Sequence, residues 1–495
     1  MQLSDLDIDR QGGQPLHAQI VDGIARMIED GRLEPGTRLP TVRALADEIG
    51  VNPMTVAKAY RALAEVGLTE GRGRRGTLIR RPVSHRPESV RGRFGRLDRL
   101  TEQTSREAVA DRMAELARAP GVIAFTANYP GEAESDIATY RRFLAETIED
   151  DALYVYEASG GSDSVRRQLQ IFANGRGIAT AGRAVVPTGG GQQALDLCAR
   201  LLLRRGDTVL CEQPAYFGAV NLLRLIGCRI VGLKTGPAGI APEDLDAAVE
   251  QHRPRLLYLN PTFQNPTGAT LPLQARRDIL AIARRHHLAI LEDDHCPELW
   301  FDEPPPPPLA ALSEPDEPVF YCAGFGKVYL PGLRLGFAVV PQTCEPDFIA
   351  LKGVSDLHGP TVLEAALADY LRRADIAGYL SRLRALYRPR HARALALLDR
   401  LLPDEVRITR PGGGLNIWVE LPGGIDASEL YFQSVRHGVA FVDGTPFHAG
   451  RPDSASLRLS IGRMRDDRLE EGIDRLTQLV RGLLSPNPAG RPPTV

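Results

Sequence analysis

No run of about eighteen consecutive apolar residues occurs in this chain of 495 residues, so a membrane-spanning helix is not expected. The opening "MQLSDLDIDR" is acidic and lacks the apolar core of a secretory signal. Cysteine is scarce: Cys198, Cys211, Cys228, Cys296, Cys322 and Cys344 are widely spread, with no CxxC spacing. That usage suits reduced thiols in a cytoplasmic protein and argues against a disulfide framework or a zinc site, and no metal is expected. An excess of one charge is missing too. With 60 Lys and Arg against 62 Asp and Glu, no overall field draws nucleic acid, and any such binding must come from a local basic surface. What is present, 43% hydrophobic and 25% charged residues, describes a globular protein, and the length implies two or more domains.

Three stretches differ in pattern. In residues 10–80, "PLHAQIVDGIARMIEDGRLEPG" places Leu16, Ile20, Ile24 and Ile28 at helical spacing and stops at Gly31. "LPTVRALADEIG" follows, with Thr41 as N-cap and Leu45 and Ile49 on one face. "VNPMTVAKAYRALAEVG" opens on Asn52 as cap, has Pro53 at the first helical position and closes on Gly67. "LTEGRGRRGTLIR" predicts two short strands around a basic glycine turn. This is the order of a winged helix-turn-helix. Residues 81–119 read as an Arg-rich linker. Between 72 and 99 ten arginines face only Glu88 and Asp98, and scattered Pro, Gly and Ser disfavour a packed core. "DRLTEQTSREAVADRMAELARA" predicts a helix near its end. Residues 120–485 alternate apolar strand-like runs with helical patterns, the mark of an α/β fold with a mostly parallel sheet. The "PPPPP" at 304–308 reads as a stiff loop.

Four elements of the large stretch carry chemistry. "PTGGGQQALDL" is a strand end, a glycine turn and a helix start, whose free N–H groups and dipole suit a phosphate. "NPTFQNPTG" sets Asn265 after an apolar strand, where its amide can bond a phenolic oxygen. "AILEDDHCPELW" ends a buried strand in carboxylates, one of which could keep a pyridine nitrogen protonated. "GFGKVYLPGLRLG" puts Lys327 and Arg334 in an apolar run. A lysine there either sits at a loop tip with its head in water or forms an imine with a carbonyl cofactor whose anionic end Arg334 holds. Taken alone, each element also has a purely structural reading.

In order and spacing the four together resemble the aminotransferase class I fold (fold type I) of pyridoxal-5′-phosphate (PLP) enzymes. The N-terminal part resembles the GntR winged-helix class, and the fusion resembles the MocR/GabR-type transcriptional regulators. The resemblance implies Lys327 as the imine-forming, catalytic lysine and Asp293 as partner of the ring nitrogen. It implies Asn265 as ligand of the ring oxygen, Tyr216 as the aromatic stacked on the ring, and Gly191, Gln192 and Arg334 as the phosphate cup. Arg458 in "SLRLSIGR" matches the arginine that grips an amino acid's carboxylate. By themselves Tyr216 reads as a core aromatic and Arg458 as half of a surface ion pair.

Two positions depart from the family. Gly324 and Gly326 stand where hydroxyl residues usually precede the lysine, each lost phosphate bond costing about 1.5–3 kcal/mol. His295 stands where a tyrosine usually reaches the ring oxygen; it can still donate, and it titrates near neutrality. In the head, Asn52, Met54, Thr55 and Lys58 are candidate base readers, with Arg43 on the preceding helix and Arg72, Arg74 and Arg75 as a wing on phosphates or a minor groove. Residues 1–80 carry eleven basic and eleven acidic residues, so a basic face must be separated from an acidic one. A protein-docking winged helix is the other reading. The expected whole is a homodimeric, PLP-dependent regulator of double-stranded DNA that senses an amine or amino-acid effector, or PLP itself. The alternative is an active aminotransferase carrying a DNA-binding head.

Overall fold

The computed structural model of the chain describes residues 16–29, 33, 36–65, 68–71, 76–79, 115–236, 239–423, 425, 427–450 and 455–484. It divides into two units, Met1–Thr101 and Glu102–Val495. In the first, helices α1 (Leu16–Glu29), α2 (Val42–Ile49) and α3 (Pro53–Glu65) precede an antiparallel pair, β1 (Thr69–Gly71) and β2 (Thr77–Ile79). Helix α1 buries Ile20, Ile24 and Met27, whereas Ile28 is only partly covered. At about 100° per residue, Met27 falls closer to the Ile20–Ile24 stripe than Ile28 does. Thr41 Oγ1 caps α2 by accepting from Ala44 N at 3.2 Å, and Gly50 closes it at φ +66. The predicted stops at Gly31 and Gly67, the wing turn at 72–75 and linker residues 81–114 lie outside the described residues. Of the helix predicted near the linker's end, residues 115–116 are described as helical.

The second unit is built on an eight-stranded sheet. Its strands are β4 (Arg183–Thr188), β5 (Thr208–Gln213), β6 (Arg229–Gly236), β7 (Gly239–Ile240), β8 (Leu256–Leu259), β9 (Ala289–Asp294), β10 (Val319–Gly324) and β11 (Gly336–Pro341), after a short β3 (Ile123–Ala124) outside the sheet. Their order is β4-β11-β10-β9-β8-β5-β6-β7. Only β11 and β7 run against the rest. Alternate residues sort to the two faces. Cys211, Tyr258, Leu291 and Cys322 pack in one core with α4 (Gly191–Leu202) and α5 (Phe217–Ile226), while Leu210, Leu257, Ile290 and Phe337 join the other. Helices cover both faces, which is why these strands read as continuous apolar runs rather than alternating ones. Each large side chain so buried contributes about 1.5–3 kcal/mol. A smaller antiparallel sheet, β12 (Arg407–Ile408), β13 (Asn416–Glu420), β15 (Val442–Asp443) and β16 (Ser456–Ser460), is ordered β12-β13-β16-β15, and β14 (Val439–Ala440) pairs with β3. Among the described residues no helix is long and apolar enough to cross a membrane.

Candidate functional site

Strands β4, β5, β8, β9 and β10 run the same way, so the loops leaving their C-terminal ends meet at one edge, where open α/β sheets place ligands. Strand β11 runs against its neighbours, and its start therefore brings Arg334 to the same edge. Together they enclose a cavity of about 530 Å³ lined by Gly191, Gln192, Tyr216, Asn265, Asp293, His295, Lys327 and Arg334. Residues from six separate segments are thus brought to one place.

At the phosphate-suited end, Gly190 turns the chain at φ +97 and α4 begins at Gly191. The first-turn N–H groups have no intrahelical acceptor, and the positive helix end faces the cavity. A Cβ on Gly190 would come 3.1 Å from Arg334 Nη2, so the guanidinium lies against the turn. The two glycines before the lysine differ. A Cβ on Gly324 would stand 2.9 Å from Gly191 N, so the end of β10 and the start of α4 approach too closely for any side chain there. A Cβ on Gly326 would meet Pro331 O at 3.7 Å as its nearest atom, with Arg334 Nη1 and Pro331 Cα at 3.8 Å, which is ordinary contact.

Three consecutive acids end β9, and the strand's two-residue period sets the middle one apart from its neighbours. Glu292 turns away from the cavity and accepts from Leu309 N at 2.8 Å and Ala310 N at 2.9 Å, capping the helix after the proline run. Asp294, on the same side, accepts from Tyr321 OH at 2.8 Å. Asp293 alone lines the cavity, accepting from Tyr258 OH at 2.8 Å. Burial pushes its carboxyl up to about 7, against the pull of the Tyr258 bond and of Lys327. Burial and the Arg458 charge bring the Lys327 amine down to about 8.

Arg458, on β16, is 4% exposed. Its Nη1 donates to Asn265 Oδ1 at 2.8 Å and its Nη2 to Thr126 O at 3.1 Å, while its buried Nε finds no partner among the described residues. The guanidinium lies 5.4 Å from the Phe447 ring centre, no carboxylate among the described residues pairs with it, and burial lowers its pKa to about 10. The surface ion pair that an isolated arginine suggests is not what this residue makes. His295 also departs from the expectation of titration near neutrality. Burial, with Lys327 and Arg458 nearby, holds its pKa down to about 3, so the ring is neutral at physiological pH. Tyr216 OH donates to Gln192 Oε1 at 3.2 Å.

Sequence reasoning missed several residues here. Tyr258, in β8, donates to Asp293, and Asn260, just past that strand, accepts from Asn265 N at 2.6 Å. Arg276, fully buried, holds the Asn265 loop by donating to Leu271 O at 3.0 Å and Pro261 O at 2.9 Å. Tyr129, Glu132 and Arg463 line the cavity from distant parts of the chain, and Arg463 pairs with Glu132. An asparagine interrupting the apolar run "LLYLNP" was the one legible signal.

In the head, Arg43, Asn52, Met54 and Lys58 are exposed and Thr55 is half-buried. Asn52 Oδ1 is occupied as a cap, accepting from Met54 N at 2.8 Å, so its amide N–H₂ is the end left for a base. Arg38, which sequence reasoning passed over, bridges to Leu78, and its side chain crosses the base of the wing, where a Cβ on Gly76 would meet its Nε at 2.8 Å. Arg72, Arg74 and Arg75 lie outside the described residues.

A sheet of this order with a lysine, an aspartate and a glycine-rich helix start converging at its edge defines a PLP-binding aminotransferase fold, here joined to a winged helix. Comparison with known proteins agrees. Residues 121–476 match the aminotransferase class I and II family, and residues 16–79 match the gntR family of bacterial regulatory proteins. Over 480 residues the chain is 30% identical to the probable rhizopine catabolism regulatory protein MocR of Rhizobium meliloti, covering 95% of each. It is 35% identical over 409 residues to a 2-aminoadipate transaminase of Thermus thermophilus, covering 81% of this chain and 99% of that one. The crystal structure of Pyrococcus horikoshii kynurenine aminotransferase superposes with a TM-score of 0.73 at 27% identity, over 77% of this chain and 95% of that one. The chain belongs to the aminotransferase class I and II family and, with its gntR-family head, to the MocR-type transcriptional regulators. The family's cofactor is PLP, and the head is of a DNA-binding class.

The residues present fit that cofactor. Gly190 and Gly191 leave backbone donors open beside the Arg334 cation, as a phosphate requires. The buried Nε2 of His295 has no partner among the described residues, Asn265 keeps its amide N–H₂ free of Arg458, and Lys327 supplies an amine close to its titration point.

Proposed function

We propose that the protein is a cytoplasmic transcriptional regulator whose second unit senses an amino-acid-like amine through PLP and whose head binds double-stranded DNA accordingly. The observation that carries the effector's chemistry is Arg458, a cation buried behind the cavity-lining Asn265 with no carboxylate partner among the described residues. Leaving such a group unpaired is costly, and an incoming carboxylate would give it the two-pronged partner its geometry suits. PLP, once bound, supplies a carbonyl that takes amines and a ring that withdraws electrons. Lys327, with its amine lowered to about 8, is the group that would hold the cofactor's carbonyl. Asp293 would pair with the ring nitrogen and keep it protonated, Asn265 and His295 would donate to the ring oxygen, and Tyr216 would cover the ring. Gly191, Gln192 and Arg334 would hold the phosphate.

A homodimer is part of this reading. Tyr154, Val155, Tyr156, Val354 and Leu357 are all more than 60% exposed, and the two segments lie together, with the Tyr156 and His358 rings 5.6 Å apart. An apolar patch of that kind supports pairing between copies. Effector and DNA then act on one equilibrium, so each changes the affinity for the other by the same factor. The test is DNA affinity measured with and without PLP and a panel of amino acids, alongside the cofactor's absorption. An effector that shifts both supports the regulator. The alternative, an aminotransferase with a DNA-binding head, is favoured by the 35% identity to a transaminase; steady turnover with a keto acid and no effect on DNA binding would establish it instead.

A further inference from the structure

Asn260 lies at the end of β8, is fully buried and touches three of the cavity's ligating residues. Its Oδ1 accepts from Asn265 N at 2.6 Å, and its Nδ2 donates to Asp293 O and lies 3.1 Å from His295 Nδ1. Its own N–H donates to Glu212 Oε2 at 2.8 Å. An amide side chain can ordinarily be turned over, exchanging donor and acceptor. Here it cannot. The Asn265 N–H is always a donor and the Asp293 carbonyl always an acceptor, so the oxygen must face the first and the nitrogen the second. The nitrogen's second proton then points at His295 Nδ1, which must accept it.

We propose that Asn260 is a positioning residue that fixes the tautomer of His295, so that the neutral ring presents Nε2–H, and never a lone pair, to the cavity. Two observations support this independently of the bond itself: His295 lines the cavity, and its Nε2 is buried with no partner among the described residues. A tyrosine at this position would carry its proton on the one atom able to bear it. A neutral histidine has two nitrogens to choose between, and the asparagine makes the choice. The charged groups facing the ring, Lys327 and Arg458, keep it from gaining a second proton. The donor's acceptor would be the ring oxygen of PLP, so the inference rests on the cofactor reading above, while the tautomer itself is a property of the cofactor-free protein.

The experiment has two readouts. In full-length, cofactor-free protein labelled with ¹⁵N-histidine, the His295 signals, identified by their loss in His295→Phe, should be those of the neutral Nε2–H form. Asn260→Asp replaces the donor by a carboxylate, which can only accept, and should move the proton to Nδ1, leaving a lone pair on Nε2. A wild-type ring protonated on Nδ1 would overturn the proposal whether or not PLP binds. The second readout is PLP affinity in a double-mutant cycle. Asn260→Asp should weaken binding about tenfold in the wild-type background, the effect of one hydrogen bond to a charged group. In His295→Phe, which has no tautomer to set, the same change should have little further effect. Equal losses in both backgrounds would show that Asn260 only supports the loop. Failure of the wild type to bind PLP at all would refute the cofactor reading and leave the tautomer result standing.

Discussion

Restoring a hydroxyl before the lysine should have opposite outcomes at two glycines only two residues apart. At Gly326 a serine Cβ meets nothing closer than 3.7 Å, and the nearest cation is Arg334 Nη1 at 3.8 Å. A hydroxyl there reaches the phosphate cup without displacing anything. One bond to a charged phosphate contributes about 1.5–3 kcal/mol, so Gly326→Ser should lower the PLP dissociation constant by at least about tenfold. At Gly324 the same Cβ would sit 2.9 Å from the backbone nitrogen of Gly191. That atom is the start of α4 and cannot swing away like a side chain. Overpacking of this kind costs about 1–3 kcal/mol and moves the very N–H that the phosphate needs. Gly324→Ser should therefore weaken PLP binding about tenfold and lower Tm. Equilibrium dialysis of the full-length proteins, with thermal unfolding of the cofactor-free forms, measures both. Tighter binding in both variants, or a Gly324→Ser protein as stable as the wild type, would show that the close approach of β10 to α4 is not a constraint.

Lys327→Ala should abolish the absorption near ~420 nm expected of lysine-linked PLP and the effector's influence on DNA affinity, while leaving DNA affinity without effector almost unchanged. Asp293, raised to about 7 in the folded protein from about 4 when unfolded, gives cofactor-free protein a stability that is full below about pH 4 and is lost as pH rises toward 7. The Tm of the wild type should accordingly fall relative to that of Asp293→Asn between those values, and a parallel profile would contradict the burial of the acid. Replacing Arg72, Arg74 and Arg75 with alanine should weaken binding to all DNA alike and flatten its salt dependence, whereas Thr55→Ala or Lys58→Ala should affect the operator more than random DNA. Fluorescence anisotropy at two salt concentrations separates the cases, and binding that survives both sets would show that the head is not a DNA reader.

The parts of the site that were legible in the sequence are those whose chemistry is local. A glycine turn before a helix, a lysine in an apolar run and acids ending a strand each announce themselves within about ten residues. Period-two reasoning could even have separated Asp293 from Glu292 and Asp294, because neighbours on a strand face opposite ways. What stayed hidden depends on chain segments far apart in sequence. Gly324 reads as a missing hydroxyl until α4 is seen packed against it, since only a contact across 133 residues explains the glycine. The neutrality of His295 is set by burial and by two cations that sequence places 32 and 163 positions away. Met27 displaced Ile28 from the head's core for a reason of angle alone, and Arg38 joined the wing through a single bridge too short to leave a pattern.

The triple acid at the end of β9 also behaves as a reading frame. Glu292, Asp293 and Asp294 have nearly interchangeable chemistry, yet parity along the strand sends Asp293 to the cavity and the other two to the opposite side, where Glu292 caps a helix and Asp294 holds Tyr321. Substitutions among the three would be mild on paper. Loss or gain of one residue anywhere between Ala289 and Glu292 would instead rotate every acid to its neighbour's side. The helix cap would then point into the cavity and the cavity's acid into the packed core. An insertion or deletion in the loops that flank the strand would leave this parity intact, and one within the strand would not.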